Sequence, residues 1–119
     1  MNIINILKNI RNKYVISQVE RANIPEFKQD KTVRYHMNFS GRVQRVGFRL
    51  EVEELAKRLE LTGWIQNLDN GNVKMEIQGM DNKIKFLMKF MKSLIRIKIK
   101  SVKKEKIPVL TQEEGFIKL

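Results

Sequence analysis

No cysteine occurs anywhere in this 119-residue chain, and that absence removes disulfides and thiolate metal sites in one step. A chain without thiols suits a reducing cytoplasm. The single histidine, His36, excludes a zinc site built from a histidine cluster. Long apolar runs are missing too. None approaches the length of a membrane span, and the start, MNIINILKNIR, is too broken by Asn, Lys and Arg to be a secretory apolar core. Acidic residues are the scarce charge: 13 against 24 Lys and Arg, a formal net charge of +11. That imbalance points to anionic partners, although charge speaks to association rather than to fold. Much of it lies late, with ten Lys or Arg between Asp81 and Pro108 against Asp81 and Glu105. Such a run reads first as a solvated face.

The chain is long enough for one domain with a real core. Ile3, Ile6, Leu7, Ile10 and Tyr14 recur at helical spacing, with Lys8, Arg11 and Lys13 elsewhere on the wheel. This predicts a short amphipathic helix over residues 3–16. A polar linker, RANIPEFKQDK, follows, so residues 1–31 form an extension and the compact domain occupies residues 32–119. Val33, Tyr35, Met37 and Phe39 then alternate as one buried face of a strand, which puts Arg34, His36 and Asn38 on the wet face. Phe48, Val52, Leu55, Ala56 and Leu59 form a helical stripe, with Glu53–Lys57 and Glu54–Arg58 spaced as surface ion pairs.

GWIQNLDNGNVKMEIQG reads as a hairpin turning at Asn70-Gly71, since both residues accept positive φ. Asp81 is placed to cap a helix carrying Ile84, Leu87, Met88, Met91 and Leu94. Ile95, Ile97 and Ile99 alternate with Arg96, Lys98 and Lys100 as a fourth strand, and residues 115–119 suggest a fifth. The order β-α-β-β-α-β is that of the α+β, ferredoxin-like two-layer sandwich. Right-handed crossovers make its first two strands parallel, with the third between them.

In that topology the first strand delivers GRVQRVGFR, residues 41–49, to the sheet end where the second delivers Asn67. Two strand spacings separate them, roughly 10 Å, which an arginine side chain can largely bridge. A basic, amide-rich loop opening a helix offers N–H donors and a positive dipole end to an anion. The loop lacks the Lys-Ser/Thr pair of a Walker A sequence.

GRVQRVGFR followed, after an amphipathic helix, by GWIQNLDNGNVKMEIQG resembles the acylphosphatase family in content, separation and order over about residues 33–119. The resemblance implies hydrolysis of acyl phosphates to a carboxylate and inorganic phosphate, with no metal and no cofactor. It makes Arg49 the phosphate-binding arginine and Asn67 the residue that orients the attacking water. The backbone cradle falls on Val43, Gln44, Arg45, Val46, Gly47 and Phe48. It also implies that the substrate's own phosphate helps to remove the water's proton. The family loop reads G-x-V-Q-G-V-x-F-R, so Arg45 stands where a glycine is usual. If that position needs positive φ, the side chain adds strain of order 1 kcal/mol.

Read without the motif, Arg49 is an ordinary helix-start arginine and Asn67 a turn former. A nucleic-acid module of the same topology is the alternative of a different class, and a catalytically weak acylphosphatase-like binding domain is another. RNA-binding domains of this topology present stacked aromatics on the middle strands. NVKMEIQ has none, and Tyr35 and Phe39 fall on the core face, so the nucleic-acid reading ranks second despite the charge. No membrane partner is expected.

Overall fold

The computed structural model describes residues 2–119. Its elements are α1 (Ile3–Arg21), β1 (Thr32–Arg42), α2 (Phe48–Arg58), β2 (Thr62–Asn67), β3 (Val73–Met80), α3 (Asp81–Ser93), β4 (Lys98–Ile107) and β5 (Phe116–Lys118). The five strands form one sheet in the order β4-β1-β3-β2-β5. Its pairs are antiparallel except β2 with β5. β1 and β2 therefore run parallel with β3 between them, as the crossover rule requires. The α+β two-layer sandwich is the one that the alternating periods imply.

The core forms between the sheet and α2 and α3. Met37, Phe39, Ile65, Met75 and Ile77 meet Val52 and Leu55 of α2, Leu59 just beyond it, and Ile84, Leu87 and Met91 of α3, all almost fully buried. Burying such side chains stabilises the fold by roughly 1.5–3 kcal/mol each. The loop at the end of β1 starts from a bulge between Ser40 and Gly41. Gly41 has φ 119°, and a Cβ there would lie 2.1 Å from the Lys98 carbonyl oxygen. Only glycine lets the chain leave the sheet so close to β4.

Several expected details change. α1 runs on to Arg21, and the face that docks carries Val15 and Val19; Ile3, Ile6, Leu7, Ile10 and Tyr14 stay exposed. Arg58 does not pair with Glu54 on the surface. It donates to the carbonyls of Val19, Glu20 and Ala22 and so caps the C-terminal end of α1. Glu53 likewise accepts the N–H of Lys118. The Asn70-Gly71 hairpin is a longer loop closed by Leu68 N–H to Asn72 O, with Gly71 alone at positive φ. The helix cap before α3 is Met80; Asp81 is its first residue, buried and accepting from the Tyr35 hydroxyl at 2.9 Å. β4 begins at Lys98 rather than Ile95, whose side chain is 87% exposed.

Arg34 departs most from its expected wet position, being 1% exposed. β4 and β5 lie at opposite edges, so the chain between them must cross the sheet. It does so over the helix-free face, held by Gln78 to both polar groups of Leu110 and by Arg34 to Glu113 at 2.7 Å. Burial would raise the Glu113 carboxyl pKa, but the hydrogen bond and charge of Arg34 hold it below the ordinary range. His36 stays partly exposed on that face, 3.3 Å from Glu76.

Candidate active site

The register of the central strands aligns the two halves of the site. Val73 of β3 pairs with Phe39 on one side and Asn67 on the other. Asn67 is thus level with Phe39, and the loop of residues 43–47 rises beyond the same sheet end. Along a strand, side chains alternate in direction. Asn67 shares the helix side with Ile65, so it points toward the mouth between the sheet and α2.

The loop leads into α2 through Gly47, the N-cap, in a left-handed conformation with φ 79° and no side-chain cap. With no cap, the N–H groups of Phe48, Arg49 and Leu50 have no intrahelical acceptors, and these residues line the mouth. The helix dipole adds partial positive charge there. Gln44 braces the loop: its side-chain amide donates to Leu68 O at 2.7 Å and to Asn72 O at 2.8 Å. Val43 and Phe48 are buried anchors, and Phe48 packs against Phe39 with ring centroids 5.1 Å apart. Arg45 has φ 62°, so the position where a glycine is usual in the resembling loop is indeed left-handed here.

A polar cleft of about 380 Å³ opens over this end, lined by Arg45, Gly47, Phe48, Arg49 and Asn67 among others. Both side chains singled out from sequence, Arg49 and Asn67, therefore reach one space. Of the expected cradle residues, Val43, Gln44 and Val46 do not line this cleft. Asn67 Oδ1 is buried and makes no hydrogen bond within the protein. An unpartnered buried acceptor costs about 1–3 kcal/mol, so a site that keeps one has a use for it. One branch of Arg49 donates to the backbone oxygen of Leu119 at 2.5 Å. Leu119 is tied in turn to β2 by its N–H to Ile65 O.

The family model of acylphosphatases matches residues 35–118. The acylphosphatase of Clostridium beijerinckii is 40% identical over 85 residues, covering 71% of this chain and 94% of that protein. The chain belongs to the acylphosphatase family. A second relative, the acylphosphatase of Pseudomonas aeruginosa, is 37% identical over 83 residues, covering 69% of this chain and 90% of its own length. Among solved structures, an acylphosphatase from Coxiella burnetii superposes with a TM-score of 0.67 at 29% identity, covering 78% of this chain and all of that one. That from Bacillus subtilis gives a TM-score of 0.67 at 27% identity, over 73% of this chain and 98% of that one.

Two features around this cleft are not visible in the sequence. Arg96, expected on the wet side of a strand, turns inward. It donates to the carbonyl of Val46 in the loop at 2.7 Å, to Gln18 of α1 at 3.2 Å, and to the fully buried carboxylate of Glu51 in the first turn of α2. Burial pushes the Glu51 pKa up, against the pull of Arg96. No local period marks a side chain whose partners lie 45 or more residues away. The second feature is α1. Residues 1–31 are expected to form an extension to the compact domain, yet Lys8, Arg11 and Asn12 line the same cleft. Among the described residues no helix is long and apolar enough to cross a membrane, and no three His, Cys, Asp or Glu gather as metal ligands would.

Proposed function

We propose that this cleft hydrolyses the carboxyl–phosphate bond of acyl phosphates, with Arg49 and Asn67 as its catalytic residues and residues 43–48 as the phosphate cradle. The observation that carries the reading is that Asn67, whose Oδ1 is left without a partner in the protein, lines the cleft that Arg49 and the free end of α2 also line. The N–H groups remaining on the Arg49 fork donate to two phosphate oxygens, and the N–H groups at the start of α2 donate to the others. Charge on the phosphoryl oxygens is redistributed as the bond breaks, so donors fixed in advance stabilise the transition state.

Asn67 is neutral and is no strong base. It accepts a hydrogen bond from a water through Oδ1 and holds it in line with the leaving carboxylate. That leaving group is good, so positioning suffices. The water's proton passes to a phosphate oxygen of the substrate. The water oxygen bonds to phosphorus as the acyl oxygen departs, giving a carboxylate and inorganic phosphate. No metal or cofactor enters these steps. The catalytic unit is residues 32–119, and the reaction belongs in the cytoplasm.

Phosphate release from acetyl or benzoyl phosphate, with and without a chelator, tests the reading. Asn67→Ala abolishes turnover while inorganic phosphate still binds, because the cradle and Arg49 remain. Arg49→Ala weakens both, with a loss of about 2.7–4 kcal/mol, a hundred- to thousandfold in rate. Turnover of Asn67→Ala within a few-fold of the parent would remove that residue from the mechanism.

A further inference from the structure

Lys8, Arg11, Val15 and Val19 are spaced three or four apart and share one face of α1. The lower half of that face is apolar and docks: Val15 and Val19 are buried, and Arg58 caps the helix end beneath them. The upper half turns cationic where it passes the cleft. α1 lies outside the stretch matched by the family model, which begins at residue 35.

Arg11 is the side chain this placement singles out. It lies against Gly47, its Nε 3.5 Å from where a Cβ on that glycine would sit. Nε is buried and has no acceptor within the protein, while Nη2 reaches Asn12 Oδ1 at 3.2 Å. Arg11 thus brings a guanidinium to the lining of a polar cleft with one N–H unpaired behind it, and such a group is a donor for an anion.

The cleft also holds more positive charge than one phosphate uses. Lys8, Arg11, Arg45, Arg49 and Lys118 line it, and no carboxylate does among the described lining residues. Arg49 and the α2 N-terminus are assigned to the transferred phosphate. Lys8 and Arg11 are extra cations that α1 brings to the same cleft, Arg11 beside Gly47. A hydrocarbon acyl group would need apolar walls, and the cleft supplies two apolar side chains, Phe48, itself 1% exposed, and the half-buried Leu50.

We propose that α1 is a substrate-selecting wall of the site: Arg11, with Lys8 at the rim, binds a second anionic group on the acyl part, so the preferred substrates are acyl phosphates with an anionic acyl end. This rests on the function proposed above and adds its substrate class. Charge-assisted pairing of that second group raises kcat/KM for anionic over neutral acyl phosphates of the same size.

The test uses succinyl phosphate and butyryl phosphate, four-carbon substrates that differ by one terminal carboxylate. The full-length parent should turn over succinyl phosphate with the higher kcat/KM. Arg11→Met, which keeps length and removes charge, should lower kcat/KM for succinyl phosphate about tenfold or more, the effect of losing one charge-assisted hydrogen bond. Its kcat/KM for butyryl phosphate should fall only by the few-fold that losing one nearby charge costs any phosphate substrate, circular dichroism should report an intact fold, and Arg11→Lys should restore part of the preference. Equal losses on both substrates, or no loss on either, would overturn the assignment. If the parent hydrolyses neither substrate, it is the acyl phosphate reading itself that fails.

Discussion

Arg45→Gly separates backbone strain from charge at the one cradle position where this chain differs from its family's usual loop. Arg45 has φ 62°, a conformation that costs an L-residue about 1–2 kcal/mol relative to glycine. Glycine removes that strain but gives the unfolded chain more freedom, at a cost of about 0.5–1 kcal/mol. The net expected gain is about 0.5–1 kcal/mol, or about 2–5 °C in Tm for a domain of this size. The lost charge works the other way on phosphate. Arg45 is exposed, and a unit charge taken at about 7 Å from a phosphate in water-like dielectric attracts it by only about 0.6 kcal/mol, about threefold in Kd. The variant should therefore melt higher, bind inorganic phosphate within about threefold of the parent or more tightly, and keep or raise kcat. Thermal unfolding and phosphate titration at two salt concentrations measure both effects. A Kd raised tenfold or more in a protein of unchanged fold, with a flatter salt dependence, would show that Arg45 is a phosphate ligand and refute the strain argument.

Other perturbations follow from the buried charges. Arg96→Met leaves the fully buried Glu51 carboxylate without its cation and frees the Val46 carbonyl. It should cost about 3 kcal/mol or more in denaturant unfolding, and adding Glu51→Gln should recover part of that; a single-variant loss below about 1 kcal/mol would mean that the network is not stabilising. Glu113 and Asp81 both have pKa values held below the ordinary range, Asp81 by the Tyr35 hydroxyl and Lys85 against the opposing effect of burial. A depressed folded-state pKa adds stability that is present above the unfolded value and is lost as pH falls through the folded one. Unfolding free energy should therefore drop as pH falls below about 4, and Glu113→Gln should flatten that slope; parallel curves for parent and variant would exclude Glu113 as a source.

What the sequence made legible was whatever one segment decides for itself. The alternation from Val33 to Phe39, the stripe from Phe48 to Leu59 and the Gly-rich loop between them are local, and all three appear as read. Period reports which face a side chain occupies but not what later covers that face. The same rule puts Arg34, Arg58 and Arg96 on wet faces. Each instead holds a distant segment: the crossing before β5, the end of α1, and the cradle loop. A long cationic side chain makes this possible, because its stem packs while its head reaches a partner that no spacing predicts.

The same limit explains the helix. The Ile3, Ile6, Leu7, Ile10 and Tyr14 stripe is the stronger apolar signal in α1, yet it remains exposed, and the face that docks is marked by two valines alone. Two buried valines suffice because Arg58 caps the helix end and Arg96 reaches Gln18, fixing α1 by polar contacts at points far apart in the chain. Docking on that face, not on the apolar stripe, is what turns Lys8 and Arg11 toward the cleft. Had the stripe docked instead, the helix would be rotated about its axis and those cations would face elsewhere. The arginines that sequence left on the surface thus set the orientation on which the extension's contact with the cleft depends.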